Sequence, residues 1–392
     1  MLGSISRLGQ GDPGHGDRGA QARREKATLS SCHPLPPSLR LPPASAPIEA
    51  VYTLIEDVIG QADLHPAFQA ALRQRIRPPD GPQWLHLPLL CCQAVGGPLD
   101  QGLIVAAAFE LARLAANVLD DVEDADGADA LWRSMGIPQA INVGTSLIFA
   151  SLMALSRLRE CGARAETIAT IQAEFARTGF RMCEGQHLDL GGGAEEQGSR
   201  GELTHAPWHL RASALLRRYW QIAAAKSGAF FELGCRAGVL LCDVSPQDLA
   251  PYAEYGWHLG LLIQIANDLA GLLDERDSSD VVYQKMTLPV LYALSVATPA
   301  QARQLRQAWT AAAQDARARR EVSQMVVELG APQYIFVEAE RHYWRARQAL
   351  ERANGQTGAL AQLADFLNLQ RPASFLSETD ANPNPSRGES RC

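Results

Sequence analysis

Residues 101–124 read QGLIVAAAFELARLAANVLDDVED, an Ala- and Leu-rich run that ends in acid. Propensity and near-freedom from Pro and Gly predict one long helix here. From Asp120 the chain continues DDVEDAD, five carboxylates in seven positions. On a helix Asp120 and Asp124 share a face at i and i+4, with Asp121 about 100° around. Like charges at that spacing cost about 0.2–0.5 kcal/mol. The C-terminal turn is also the wrong end of the helix dipole for anions, and Asp is a poor interior helix residue. Three small penalties accumulate, so something should offset them. A solvated acidic helix end is one reading, since screening makes exposed charge cheap. An EF-hand fails, because with Gly127 at its sixth position the first ligand would be Val122 and the twelfth Arg133. A carboxylate-held Mg²⁺ site is the third, because hard oxygen ligands on one face suit a cation that keeps waters and bridges a phosphate.

The rest of the chain is consistent with a helical body. Of 392 residues 46% are apolar and 20% charged, which suits a globular protein with a sizeable core. A net charge of −7 without a basic block argues against nucleic-acid binding. The eight cysteines lack C-x-x-C spacing and read as reduced, buried thiols of a cytoplasmic protein. The apolar stretches around 103–119 and 141–155 are not expected to span a membrane. Glu110 and Arg113 break the first, and the second is shorter than the roughly 18 residues required. Residues 1–45 and 372–392 are Pro-, Gly- and Ser-rich and read as disordered tails around one domain, 46–371. Within it, PIEAVYTLIEDVIG places Val51, Leu54, Ile55, Val58 and Ile59 on one helical face. Further Ala/Leu-rich segments at 170–190, 212–241 and 248–275 predict a bundle of ten or more helices.

A second polar cluster favours the metal reading. In LLIQIANDLAGLLDE, residues 261–275, Gln264, Asn267 and Asp268 interrupt an apolar helix. Asn267, Gly271 and Glu275 are four residues apart and form one stripe. Buried polar groups need partners, and two carboxylate-bearing helices facing each other are how bundles build metal sites.

With both clusters in view, residues 48–368 resemble the trans-isoprenyl diphosphate synthases, the polyprenyl synthetases of the class I isoprenoid fold. Asp120, Asp121 and Asp124 match the D-D-x-x-D motif of that family. GIPQAINVGTSL follows it, then GQHLDL at 185–190, Lys226 in AAKSGAFF, QIAND at 264–268 and DVVYQKMTLPVLYAL at 280–294, in family order. The resemblance implies an all-α bundle with a central active-site cavity, a homodimer, and Mg²⁺ as cofactor, with three ions when substrate is bound. It implies ionisation of an allylic prenyl diphosphate with Asp120, Asp121, Asp124, Asn267, Asp268 and Glu275 as metal ligands. Lys226, Lys285, Arg133, Gln186 and Gln264 would contact the diphosphate. The small Ala115 and Ala116, a turn before Asp120, would form the pocket floor and admit a chain of fifteen to twenty carbons.

This sequence also departs from that family. Where the family carries G-K-R-x-R-P, for isopentenyl diphosphate, the chain reads GPQWLHLPLL, so the cations are replaced by residues including Gln83, Trp84 and His86. After the first motif only Arg133 remains of an Arg pair. The second motif has become Asn267-Asp268-Leu-Ala-Gly271, and through Glu275 it is similar to the second metal motif of class I terpene synthases. Three readings follow: a prenyltransferase using an acceptor, a terpene synthase in which Trp84, Tyr219, Phe230 or Phe231 stabilises the cation, and a non-catalytic scaffold.

Overall fold

A computed structural model describes residues 47–76, 84–125, 127, 130–191, 208–273 and 280–371. Both expected tails, the loops around 77–83 and 192–207, and Glu275 lie outside them. Among the described residues there is no strand, and the elements are helices throughout. They are α1 (Pro47–Gln61), α2 (Pro66–Arg75), α3 (His86–Ala94), α4 (Leu99–Glu123), α5 (Leu131–Met135), α6 (Ile137–Ser156) and α7 (Ala165–Leu190). There follow α8 (Trp208–Ala223), a π-helical turn (Ala224–Gly228), α9 (Ala229–Val239), α10 (Pro246–Leu273) and α11 (Leu288–Val296). The chain then forms α12 (Pro299–Ala312), α13 (Ala316–Glu328), α14 (Ala331–Arg352) and α15 (Thr357–Asn368).

The periodic stripe of α1 is buried as its spacing predicts: Val51, Leu54, Ile55, Val58 and Ile59 all lie in the core. Each such side chain contributes about 1.5–3 kcal/mol. α4 is the central helix, packed on α6, α3 and α1. The two charges that interrupt it are absorbed locally. Glu110, 1% exposed, accepts from the Tyr52 hydroxyl at 2.8 Å and from Arg113 Nε and a terminal guanidinium nitrogen at 2.7 Å each. Burial pushes the Tyr52 phenol up, and the carboxylate of Glu110 adds to the shift.

Two helical segments, Leu99–Glu123 and Ile137–Arg159, are long and apolar enough for a membrane span by length and composition. The second thus runs further than the sequence stretch 141–155 suggested. In α4 the apolar composition is explained by burial. α6 instead exposes Ile137, Ile141, Ile148, Phe149, Leu152 and Met153. The six described cysteines are all free thiols.

Candidate active site

α4 ends where the acidic run begins. The Asp124 amide closes the last turn onto the Asp120 carbonyl at 2.8 Å, and Ala125 follows with φ +56°. That left-handed residue stops the helix. Asp120 and Asp124 consequently project from the final turn on one face, as their spacing predicts.

Two lysines from distant segments meet them. Lys226 sits in the π-helical turn between α8 and α9, a local widening frequent at functional sites. Its Nζ donates to Asp120 Oδ1 at 3.0 Å, to Asp189 Oδ2 at 3.1 Å and to Gln186 Oε1. Lys285 donates from Nζ to Asp124 Oδ2 at 2.6 Å. Gln186 links the two pairs, because its Nε2 donates to Asp124 Oδ1 at 3.2 Å. Gln186 and Asp189 lie three residues apart on α7 and so share a face. Gly185 lets that face approach: a Cβ there would stand 2.9 Å from Ala225 Cβ and 3.0 Å from Lys226 Cγ. The self-repelling run is thus offset by two ammonium groups and an amide bridge.

The electrostatics follow. Burial raises the Asp120 carboxyl above its ordinary value, and Lys226 works against that rise. Burial alone would lower the Lys226 ammonium, but Asp120 and Asp189 outweigh it and hold the group above the usual lysine range.

The second polar cluster divides. Asp268, 3% exposed, turns inward: its Oδ1 accepts from Gln264 Nε2 at 2.7 Å and its Oδ2 from the Leu288 amide at 3.0 Å. It therefore braces the first turn of α11, the end of a helix that favours an anion. The Ser227 hydroxyl donates to Gln264 Oε1 at 2.6 Å, joining this brace to the π-helical turn. Burial raises the Asp268 carboxyl, and the Leu288 amide opposes the shift. A metal ion at Asp268 would have to share its two oxygens with the Gln264 amide and the Leu288 N–H. Asn267, beside it, is exposed. The Tyr219 hydroxyl is buried without a hydrogen bond of good geometry, and burial, with the nearby Asp268 charge, raises it well above the usual phenol value.

Other expected residues separate from this group. Arg133 donates from Nε to the Gly127 carbonyl at 2.8 Å and stacks over Trp132, so it ties down the loop after α4. The Asp121 carboxylate faces the same loop, 3.3 Å from where a Gly127 Cβ would lie. Ala115 is buried and Ala116 half-buried, one turn below the acidic end of α4. At the start of α3, Leu85 and Leu87 are core residues, and Trp84 packs edge-on against Phe231 and Phe366 at 5.2 and 5.6 Å. His86 Nε2 is buried without a partner, and burial lowers the ring below the usual histidine value. No cation stands in that described segment.

Sequence reasoning passed over Asp189 and Asp280, although both sit in the quoted segments GQHLDL and DVVYQKMTLP. Among the described residues no three acidic, His or Cys side chains converge as a ready-made metal cage. Mg²⁺ does not require one, since it binds through one or two carboxylates, waters and substrate phosphates. The carboxylate oxygens of Asp120 and Asp124, on one face of α4, are the kind of donor such an ion takes.

The polyprenyl synthetase family model matches residues 86–328. A short chain isoprenyl diphosphate synthase of Methanothermobacter thermautotrophicus is 28% identical over 293 residues, 72% of this chain and 83% of that protein. A tryptophan prenyltransferase ComQ of Bacillus subtilis subsp. natto is 27% identical over 180 residues, 46% of this chain and 48% of its own length. The fold matches a polyprenyl synthase of Caulobacter crescentus, complexed with calcium and isoprenyl diphosphate, at TM-score 0.67 and 22% identity, over 84% of this chain and 96% of that one. With the family's motifs in order along a helical bundle, the chain belongs to the polyprenyl synthetase family.

Proposed function

We propose that the protein is a Mg²⁺-dependent prenyltransferase that ionises an allylic prenyl diphosphate of fifteen to twenty carbons and passes the prenyl group to an acceptor, with residues 46–371 as the working domain. The observation that carries this reading is the pairing of Lys226 with Asp120 and of Lys285 with Asp124, which joins three separate segments of the chain. A non-catalytic scaffold has no physical need to hold two ammonium groups over paired carboxylates. Mg²⁺, three ions with substrate bound, would supply Lewis-acid neutralisation of the leaving diphosphate. Asp120, Asp121 and Asp124 would hold it on one side, with Asn267 and Glu275 on the other. Lys226 and Lys285, which stand beside these aspartates, would give point positive charge to the diphosphate. Gln186 would position the Lys226 ammonium, and Gln264 would act through Ser227. Arg133 would steady the loop that follows the first motif. Ala115 and Ala116, too small to block a growing chain, support the fifteen-to-twenty-carbon limit.

The acceptor side favours a molecule without a diphosphate. The segment that carries cations in the family holds Trp84, Leu85 and Leu87 in apolar and aromatic packing, which gives an anion nothing to bind. Trp84, Phe230 and Phe231 also keep a terpene-synthase reading in view, since aromatic faces stabilise cations. Labelled geranyl, farnesyl and geranylgeranyl diphosphates, incubated with and without isopentenyl diphosphate or an indole acceptor, test these readings. Product that requires an added acceptor supports the prenyltransferase. Hydrocarbon or alcohol formed without one selects the terpene synthase, and absence of all turnover with Mg²⁺ sinks both.

The exposed apolar face of α6, with Phe149 61% exposed, together with Phe180 of α7 at 81%, supports assembly as a homodimer. Sedimentation equilibrium should give twice the chain mass, and a monomer at micromolar concentration excludes it. The cytoplasm is the proposed compartment, in keeping with free thiols.

A further inference from the structure

Gly271 follows Asn267 by one helical turn on the same stripe of α10. Its missing side chain is matched by a carboxylate from elsewhere. A Cβ built on Gly271 would stand 2.3 Å from Asp280 Oδ2, 2.6 Å from its Cγ and 3.1 Å from Oδ1. Asp280 therefore occupies the space into which a residue at 271 would project, and no side chain fits at 271 while it does.

The turn that begins at Asp280 ends at Lys285. The Lys285 amide donates to the Asp280 carbonyl at 2.9 Å, and its ammonium reaches Asp124 at 2.6 Å. One short segment thus sets a carboxylate against the Asn267 face of α10 and a cation against the acidic end of α4. Asp280 is half-buried at the surface of this turn, and Asp268, the carboxylate left in the α10 motif, is turned into the core.

We infer that Asp280 is the carboxylate ligand of the α10 side of the metal site, standing in from the following turn for the carboxylate that position 271 lacks. With the Asn267 amide oxygen it makes a pair of oxygen donors, suited to Mg²⁺ retaining several waters. Because Asp280 and Lys285 belong to one turn, metal bound at Asp280 and diphosphate bound at Lys285 would order the same segment. This assignment rests on the prenyltransferase reading only in requiring a divalent ion near α10.

The test is Mn²⁺ binding to the full chain in the presence of inorganic pyrophosphate, with free Mn²⁺ followed by electron paramagnetic resonance. Asp280→Ala should weaken one Mn²⁺ site by at least about tenfold, the lower end of what even an outer-shell partner is worth. Gly271→Asp combined with Asp280→Ala, which vacates the space and returns a carboxylate to the helix, should restore most of that loss. Asp280→Asn, which keeps the side-chain shape, is the variant to use should Asp280→Ala fail to give a cooperative melt. It should lose the same Mn²⁺ site. Unchanged Mn²⁺ binding in a folded Asp280 variant overturns the assignment. Failure of a folded double variant to recover binding also overturns it, by reducing Asp280 to a support of the turn. A wild-type chain that binds no Mn²⁺ with pyrophosphate removes both this assignment and the ionising mechanism beneath it, whereas Mn²⁺ binding without prenyl turnover leaves Asp280 in place and removes only the proposed activity.

Discussion

Replacing Lys226 with methionine keeps the length of the side chain and deletes its charge. The ammonium holds Asp120, Asp189 and Gln186 together. Two opposing magnitudes can be assigned. The carboxylates keep 40% and 46% of their side-chain surface in solvent, so water takes over much of the lysine's role once it is gone. Such partly exposed pairs are worth about 0–1 kcal/mol each. In the reacting complex the same ammonium would face a leaving diphosphate inside a closed, water-poor site. Loss of one preorganised donor there costs about 2.7–4 kcal/mol, or about 10²–10³ in kcat. Lys226→Met should therefore lower kcat by two to three orders of magnitude, while the melting temperature falls by no more than about 2–4 °C per kcal/mol lost. Single-turnover release of labelled pyrophosphate, with thermal melts on the same samples, measures both quantities. Near-wild-type turnover refutes the assignment of Lys226 to the diphosphate. A collapse in stability matching the loss of activity refutes the division between a cheap resting pair and a costly reacting one.

Asp268→Ala leaves the Leu288 amide and Gln264 without their acceptor, and urea unfolding should register a loss of about 2–6 kcal/mol, at about 1–3 per unsatisfied group. Asn267→Ala, on the exposed side of the same helix, should stay within about 0.5 kcal/mol of wild type, so equal effects from the two would contradict the inward turn of Asp268. Arg113→Met leaves the buried Glu110 carboxylate with only the Tyr52 hydroxyl and should cost about 3–5 kcal/mol. Chemical denaturation checks this, and a change below 1 kcal/mol at neutral pH, by order of magnitude, would mean that Glu110 reaches water. The buried His342 ring lies 2.8 Å from His258, Nδ1 to Nδ1, with Arg341 and Arg345 nearby, and burial pushes it down to about 3. Its folded value lies below the unfolded one, so between pH 6.5 and about 3 the unfolded chain binds the extra proton. Stability should then fall as pH drops below 6.5, by about 1.4 kcal/mol per unit for one proton. His342→Phe should flatten that slope between pH 6.5 and 5, as denaturation at several pH values would reveal.

Local spacing carried much of the architecture. The stripe of α1, the long α4 and the acidic face at Asp120 and Asp124 were legible because helical neighbours three and four residues apart are set by backbone geometry alone. The lysines were legible as family motifs, yet their partners were not, since Lys226 and Asp120 are 106 positions apart and Lys285 and Asp124 are 161 apart. Arg133 stood out by its place after the motif, and its hydrogen bond to the Gly127 carbonyl and its stacking on Trp132 could not be read from that place. Asp268 and Asn267 are adjacent in sequence, and nothing local says which turns inward. The Leu288 amide, at the start of a helix twenty residues on, decides that by offering the buried carboxylate a donor. Gly271 likewise reads as a lost ligand until Asp280 is found against its backbone. The sequence by itself determined the helices and the chemistry of their faces, because periodicity and propensity act within a few turns. Only the tertiary structure decided which charges are paired, spent on the fold or left for a ligand, because a buried carboxylate is settled by the donors that packing brings to it.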